Sequence, residues 1–321
     1  MTLSYDRRAP KPLLDVLAKD GWAHSLVEYG RAGQYALDLQ LRGYASGNHW
    51  ATLYVGLTKA VDLHFLASRG FRLNAHGTYK TPARGWSPEW EKWHSGDKLA
   101  SFWPQVEDYL ERVIPSVGAR YLKEGAVQSA ISGFASQDLV VIDREAAITF
   151  SNQREKMAVT QRLLRPLLAA MVGTSDAAWW KSTPTSLGGE CDALAVTPDG
   201  KLLAIEVKPG NATGGITWGP LQVRHYANLF TEWASQAPAA AEIIQGMIDQ
   251  RFRLGLIEHS KPVLQLPIRV EPVLVIGRLH GKAAIARLKE IQARLLEAGF
   301  NDPPLSVRSV TLAGRLDPLD L

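Results

Sequence analysis

Residues 188–208, GGECDALAVTPDGKLLAIEVK, restrict the folding of this chain more than any other stretch. Two apolar runs flank Pro198-Asp199-Gly200. Proline presets the first turn dihedral, and glycine takes a left-handed one at no steric cost. A three-residue connection of this kind joins antiparallel strands and pairs residue 197 with 201. The spacing therefore predicts strands over 190–197 and 201–208. Carried down the ladder, this register sets Asp192 opposite Glu206 and Glu190 opposite Lys208.

Directly opposed side chains lie about 4.5–5.5 Å apart at Cβ, where like charges destabilise the pair. Two carboxylates so placed among Ala193, Leu194, Ala204 and Ile205 need a counter-ion. A divalent cation such as Mg²⁺ takes oxygen ligands and commonly binds one or two carboxylates together with water and phosphate oxygens. Lys208, two residues from Glu206, points to the same face of the sheet. A lysine there can orient or help deprotonate a water, and can stabilise charge growing on a phosphate. These are the parts of a phosphodiester hydrolase. An ordinary surface hairpin with cross-strand charges gives the same spacing, but it would not surround the charges so densely with apolar residues.

A glycine-rich loop over 209–217 then leads into a helix predicted from Pro220 to Ala234. Gln222 and Tyr226 fall on one helical face, with Arg224 and His225 between them. Asp192, Glu206-Val207-Lys208 and Gln222-x-x-x-Tyr226 together resemble the PD-(D/E)XK nucleases. The last element resembles the RecB-like and CRISPR-adaptation branch of that superfamily. The likeness covers residues 150–280, about 130 positions. It implies an α/β fold, a mixed central sheet flanked by helices, and an Mg²⁺ or Mn²⁺ cofactor. By the same resemblance Asp192 and Glu206 would be metal ligands, the Val207 carbonyl a further ligand, and Lys208 the catalytic lysine. Gln222 and Tyr226, with Arg224 and His225 beside them, would lie against nucleic acid. Two departures stand out: Cys191 replaces the usual proline before Asp192, and there is no cysteine cluster for an iron–sulfur group.

Other residues have two readings each. Glu155 lies early in a helix predicted over 153–172, where relatives carry an acidic residue that completes the metal site. Asn152-x-x-Glu155 is equally close to a capping box. Glu190 is either an outer partner of Lys208 or half of a cross-strand ion pair. His225 could touch phosphate, but a lone helical histidine is more often a packing residue. Arg154, Lys156, Arg162 and Arg165 make the 153–172 helix basic, as a phosphate-contacting or simply a solvated face. Trp86, Trp90 and Trp93 recur at i, i+4 and i+7, with Trp103 nearby. Base stacking could use such a stripe, but core packing of an amphipathic helix is the expectation.

Before this unit, Tyr35, Leu37, Leu39 and Leu41 alternate with small or polar residues, the period of a half-buried strand. Further strands are expected over 50–57 and 61–67, and helices over 12–20 and 97–114. Residues 1–149 are read as an α+β domain that selects substrate or a partner, a second copy of the chain included. Residues 150–321 are read as the nuclease domain.

The chain has 321 residues, a formal net charge of +4 and a single cysteine. One cysteine excludes an intrachain disulfide and a four-cysteine metal site, which fits a reducing, cytoplasmic setting. No apolar run is long enough to span a membrane. The mild basicity suits a nucleic-acid partner, foremost DNA, without requiring one. The expected function is Mg²⁺- or Mn²⁺-dependent nucleic-acid hydrolysis. A catalytically idle binding module, or an interaction protein with a purely structural hairpin, are the competing classes.

Overall fold

The computed structural model describes the chain apart from residues 1–2, 33–36, 45–46, 119–122, 134–138, 173–178, 181–183, 185, 259, 278–280, 312–314 and 320–321. Its elements run α1 (Lys11–Leu17), α2 (Ser25–Arg31), β1 (Leu37–Gly43), β2 (His49–Val55), β3 (Thr58–Leu66), β4 (Gly70–Asn74), α3 (Gly96–Ala100), α4 (Trp103–Gly118), α5 (Lys123–Ser132), β5 (Val140–Ala146), α6 (Gln153–Ala169), β6 (Cys191–Val196), β7 (Leu202–Lys208), α7 (Thr213–Gln236), α8 (Ala240–Arg253), β8 (Val270–Gly277), α9 (Lys282–Glu297), β9 (Ser306–Val310) and β10 (Leu316–Pro318). The protein is mixed α/β with two sheets, ordered β1-β2-β3-β4 and β10-β9-β8-β7-β6-β5. Among the described residues, no helix is long and apolar enough to cross a membrane.

The chain divides into two compact units. One comprises Asp6–Asp143 and Glu242–Lys261, the other Met1–Tyr5, Arg144–Ala241 and Pro262–Leu321. This differs from the expected cut between residues 149 and 150. The division falls inside β5, and residues 242–261 belong with the first half of the chain. Burial explains the exchange. Leu254 and Leu256 complete the core that contains Leu39, Leu53 and Leu63, and the Arg251 guanidinium donates to the Leu39 carbonyl at 2.9 Å.

In that first unit β1–β4 form an antiparallel meander. Leu37, Leu39 and Leu41 enter the core with Val106, Leu110 and Val113 of α4. Tyr35, the first residue of the expected alternation, lies outside the described residues. The opposite face of β1 was expected to be solvated and is not: Asp38, Gln40 and Arg42 are 2%, 0% and 8% exposed. Buried polar groups survive when they are hydrogen-bonded. Here Gln40 donates to Asp38 at 2.7 Å, Arg42 to the Tyr54 hydroxyl at 3.0 Å, and Thr52 to Asp62 at 2.5 Å.

Trp86, Trp90 and Trp103 pack in the core, as expected, whereas Trp93 is half-buried, and Trp86, Trp90 and Trp93 do not share a helix. Trp90 sits in a single 3-10 turn, Pro88–Glu91, whose cap Ser87 accepts from the Glu89 amide. Trp86 and Trp90 are buried and meet Tyr109 edge-on. Trp93 lies beneath the Arg72 guanidinium at 4.8 Å.

In the second unit the order α6-β6-β7-α7-β8-α9-β9 builds a mixed sheet. β6 and β7 are antiparallel; α7 crosses over so that β8 runs parallel to β7, and α9 repeats the crossover to β9. Ile216 and Val223 of α7 pack with Leu274 and Ile276 of β8 and Leu288 of α9. Trp218 and Leu221 join Leu167 of α6, with Trp180 and Leu295. Tyr5 meets Phe230 and Trp233 of α7 edge-on, at 5.2 Å each.

The glycine-rich approach is shorter than expected, because α7 begins at Thr213. A Cβ on Gly219 would come 2.7 Å from Leu274, so glycine here serves close helix–strand contact and not a loop. On α6 Leu164 and Leu167 are buried, as is Met171 just beyond its end, while Met157 is exposed. β9 and β10, short strands near the end of the chain, carry too little alternation to be anticipated.

Candidate active site

The hairpin of β6 and β7 has the predicted register: Ala193 pairs with Ile205 and Val196 with Leu202. Its loop closes through Gly200 N–H to the Thr197 carbonyl at 2.9 Å and Thr197 N–H to the Lys201 carbonyl at 3.0 Å. Gly200 has φ +89°, and a Cβ there would lie 1.9 Å from the Val263 carbonyl oxygen. Only glycine fits both conditions.

One residue beyond the Ala193–Ile205 pair, this register brings Asp192 and Glu206 together. Asp192 accepts the Val207 amide at 2.7 Å. Glu206 is 1% exposed. Burial first, and then the Asp192 charge, push its carboxyl up to about 8, while Lys208 pulls the other way. The Lys208 ammonium donates to Glu206 Oε1. Glu206 Oε2 meets no N–H or hydroxyl donor; its neighbour is the Asp192 carboxylate. Such an oxygen, buried beside a second carboxylate, is costly unless something cationic meets it. The donor set is all oxygen, which suits a hard divalent cation. Asp192 and Glu206 are the residues that fit it.

Cys191 belongs to the strand's packing. It is fully buried, and its thiol donates to the carbonyls of Ala193 and Ile205. Burial and the neighbouring carboxylates hold its pKa well above the usual range, which argues against a nucleophile. Val207 is fully buried between β6 and β8.

Tyr226 is brought to the carboxylates. It is 1% exposed, and burial, then the Glu206 charge, raise its phenol pKa. Gln222 donates to the Tyr226 hydroxyl at 3.3 Å. A Cβ on Gly188 would sit 2.9 Å from that hydroxyl, so the chain entering β6 passes directly against it. Gly215 plays the same part for Lys208, whose Cδ would be 2.9 Å from a Cβ there.

Arg224 and His225 do not present groups to a ligand. Arg224 is 3% exposed and donates to the Pro303 carbonyl. His225 is 1% exposed, and burial pushes its pKa down to about 4. The reason is that α7 buries residues on every side, so lying between Gln222 and Tyr226 in sequence says nothing about facing the same way.

Glu155 is taken up by a capping box. Its amide donates to Asn152 Oδ1 at 2.9 Å, and its carboxylate accepts the Ser151 amide at 3.0 Å. Among the described residues no group of three His, Cys, Asp or Glu side chains could hold a metal ion, so Glu155 does not join Asp192 and Glu206. Glu190 lies before β6 starts, is exposed, and makes no ion pair with Lys208, which turns to Glu206 instead.

On the basic α6, Arg162 pairs with Glu232 and Arg165 donates to Gln161. Lys156 lies over the chain at Gly189, 3.5 Å from where a Cβ would be. The Gly188-Gly189 pair was a legible sign of close approach, but what approaches it was not. No family model, no curated protein and no solved structure matches this chain.

Proposed function

We propose that this chain is an Mg²⁺- or Mn²⁺-dependent nuclease of the PD-(D/E)XK type that hydrolyses phosphodiester bonds, DNA being the foremost substrate. One observation carries the reading: a buried Glu206 carboxyl that meets Lys208 on one oxygen and, on the other, no donor group but the Asp192 carboxylate. A structural ion pair would be completed with apolar or hydrogen-bonding neighbours, not with a second carboxylate. The element order supports the same reading, because the hairpin is followed by two parallel crossovers and α7 delivers Tyr226 to the carboxylates.

Asp192 and Glu206 would hold the cation. When bound, it supplies charge neutralisation at the phosphate and a water that ionises near neutral pH. Lys208 has the reach to exchange Glu206 for a phosphate oxygen, and a positioned ammonium acts most strongly on charge that develops in the transition state. Tyr226 accepts from Gln222, which leaves the phenol's own proton to donate toward the carboxylates or an incoming phosphate. The fold holds all four groups on regular elements, three on the hairpin strands and one on α7, and such sites keep tighter geometry than loop-borne ones.

The test is incubation with linear, circular and single-stranded DNA and with RNA, each in Mg²⁺, Mn²⁺ or EDTA. Cleavage in either metal and none in EDTA is expected. Binding without cleavage in every metal would replace this reading with that of an idle binding module. The observation that favours that alternative is that, among the described residues, two carboxylates and no third converge, Glu155 being held in its cap.

A further inference from the structure

Two glycines in succession precede the carboxylate pair, and each lies against a side chain of another element. Gly188 lies against the Tyr226 hydroxyl, and Gly189 lies beneath the Lys156 ammonium. Tyr226 and Lys156 therefore meet successive residues of the lead into β6, and Asp192 follows three residues after Gly189. Lys156 is exposed. Arg162 has Glu232 and Lys208 has Glu206, whereas Lys156 pairs with no carboxylate among the described residues, Glu190 included.

We infer that Lys156 is a substrate-positioning residue that pairs with a phosphate flanking the one to be cleaved. The inference rests on the nuclease reading and adds to it a direction for the bound strand, from the Lys208 side past Gly189 toward α6. Three points on the page support it. Lys156 extends from a regular helix and not from a loop, so its origin is fixed. The surface beneath it is bare backbone, so a nucleic-acid strand can approach without displacing a side chain. Among the described residues Lys156 makes no ion pair, and the glycine beneath it lies three residues before Asp192, at a site whose carboxylates would repel an anionic substrate arriving alone. A cation at this rim offsets that repulsion for the phosphates not in contact with metal.

The residue's role is binding of ground and transition states alike, so its loss should raise KM with little change in kcat. A charge-assisted contact at an exposed position corresponds to about a tenfold change in affinity. One phosphate contact fewer should also lower the slope of log affinity against log salt by about one.

The experiment compares the full-length protein with Lys156→Ala and Lys156→Arg. It uses a labelled linear DNA duplex, cleavage in Mg²⁺ and binding in Ca²⁺ over a salt series. Duplexes carrying one neutral methylphosphonate next to the cleaved bond form the second arm. The expected results are an increased KM for Lys156→Ala, a reduced salt slope, and near-normal values for Lys156→Arg. The methylphosphonate should weaken the parent protein and leave Lys156→Ala unaffected, which a merely structural residue would not produce. Cleavage with KM, salt slope and methylphosphonate response all unchanged in Lys156→Ala would overturn this inference and leave the nuclease reading standing. Failure of the parent to bind any nucleic acid would overturn both.

Discussion

Replacing Glu206 with glutamine removes a charge and keeps the shape, and in EDTA the variant is expected to be more stable than the parent at pH 8. The sign follows from the raised pKa. A glutamate that titrates at 4.5 when unfolded titrates at about 8 in the fold. Between those values the folded state holds a proton that the unfolded state has released. The stability tied to that proton is complete below pH 4.5 and is lost as pH rises through 8. Each factor of ten in proton affinity is worth about 1.4 kcal/mol, so the ceiling on the cost of ionising Glu206 is on the order of 5 kcal/mol. Water entry and local relaxation reduce such penalties, and roughly 2 kcal/mol of gain at pH 8 is the working expectation, or roughly 4–8 °C in Tm. Thermal unfolding in EDTA at pH 5 and pH 8 reads it directly: the two proteins should nearly coincide at pH 5 and separate at pH 8. Added Mn²⁺ should then stabilise the parent and not Glu206→Gln, since only a folded site with both carboxylates binds the ion. A variant less stable than the parent at both pH values would show that Glu206 is a structural partner of Lys208, and the metal-site reading would fail.

Lys208→Ala should lower cleavage by about 10²–10³ with binding in a gel shift nearly unchanged; equal loss of both would make the lysine structural. Asp192→Ala should also be inactive but partly restored by excess Mn²⁺, where Lys208→Ala is not. Gly200→Ala should cost about 2–4 kcal/mol in a urea titration, because its backbone is left-handed and the Val263 carbonyl occupies the space of a Cβ; an unchanged midpoint would contradict that packing. A fragment ending at residue 149 should lack a cooperative unfolding transition, because Arg251, Leu254 and Leu256 are missing from its core. A sharp transition in that fragment would refute the assignment of 242–261 to the first unit.

The hairpin could be read from the sequence because its cause is local: three turn residues set the register, and the register sets Asp192 against Glu206. Tyr226 and Gln222 were legible for a similar reason, as a spacing on one helix. What failed was information that local chemistry does not carry. The helical periodicity of α7 cannot say which side faces the carboxylates when buried residues ring the helix, and so Arg224 and His225 were misplaced. Glu155 obeyed its nearest neighbours, Ser151 and Asn152, over a distant site. The membership of residues 242–261 depends on which core Arg251, Leu254 and Leu256 reach across more than two hundred residues of chain, and nothing in their own pattern announces that.

The interleaving of the two units has a consequence for biosynthesis. A ribosome delivers the meander β1–β4 early, but the segment that completes its core follows only after the whole of Arg144–Ala241 has been made. At roughly 5–20 residues per second, that is a delay of roughly 5–20 seconds. The N-terminal Tyr5 waits still longer in sequence terms, for Phe230 and Trp233. Neither unit can therefore finish folding while the other is untranslated, and the nascent chain carries an incomplete apolar core past the point at which a simple N-terminal domain would have closed. Codon changes that alter the pace between residues 144 and 261 should affect the yield of native protein more than changes of equal size elsewhere.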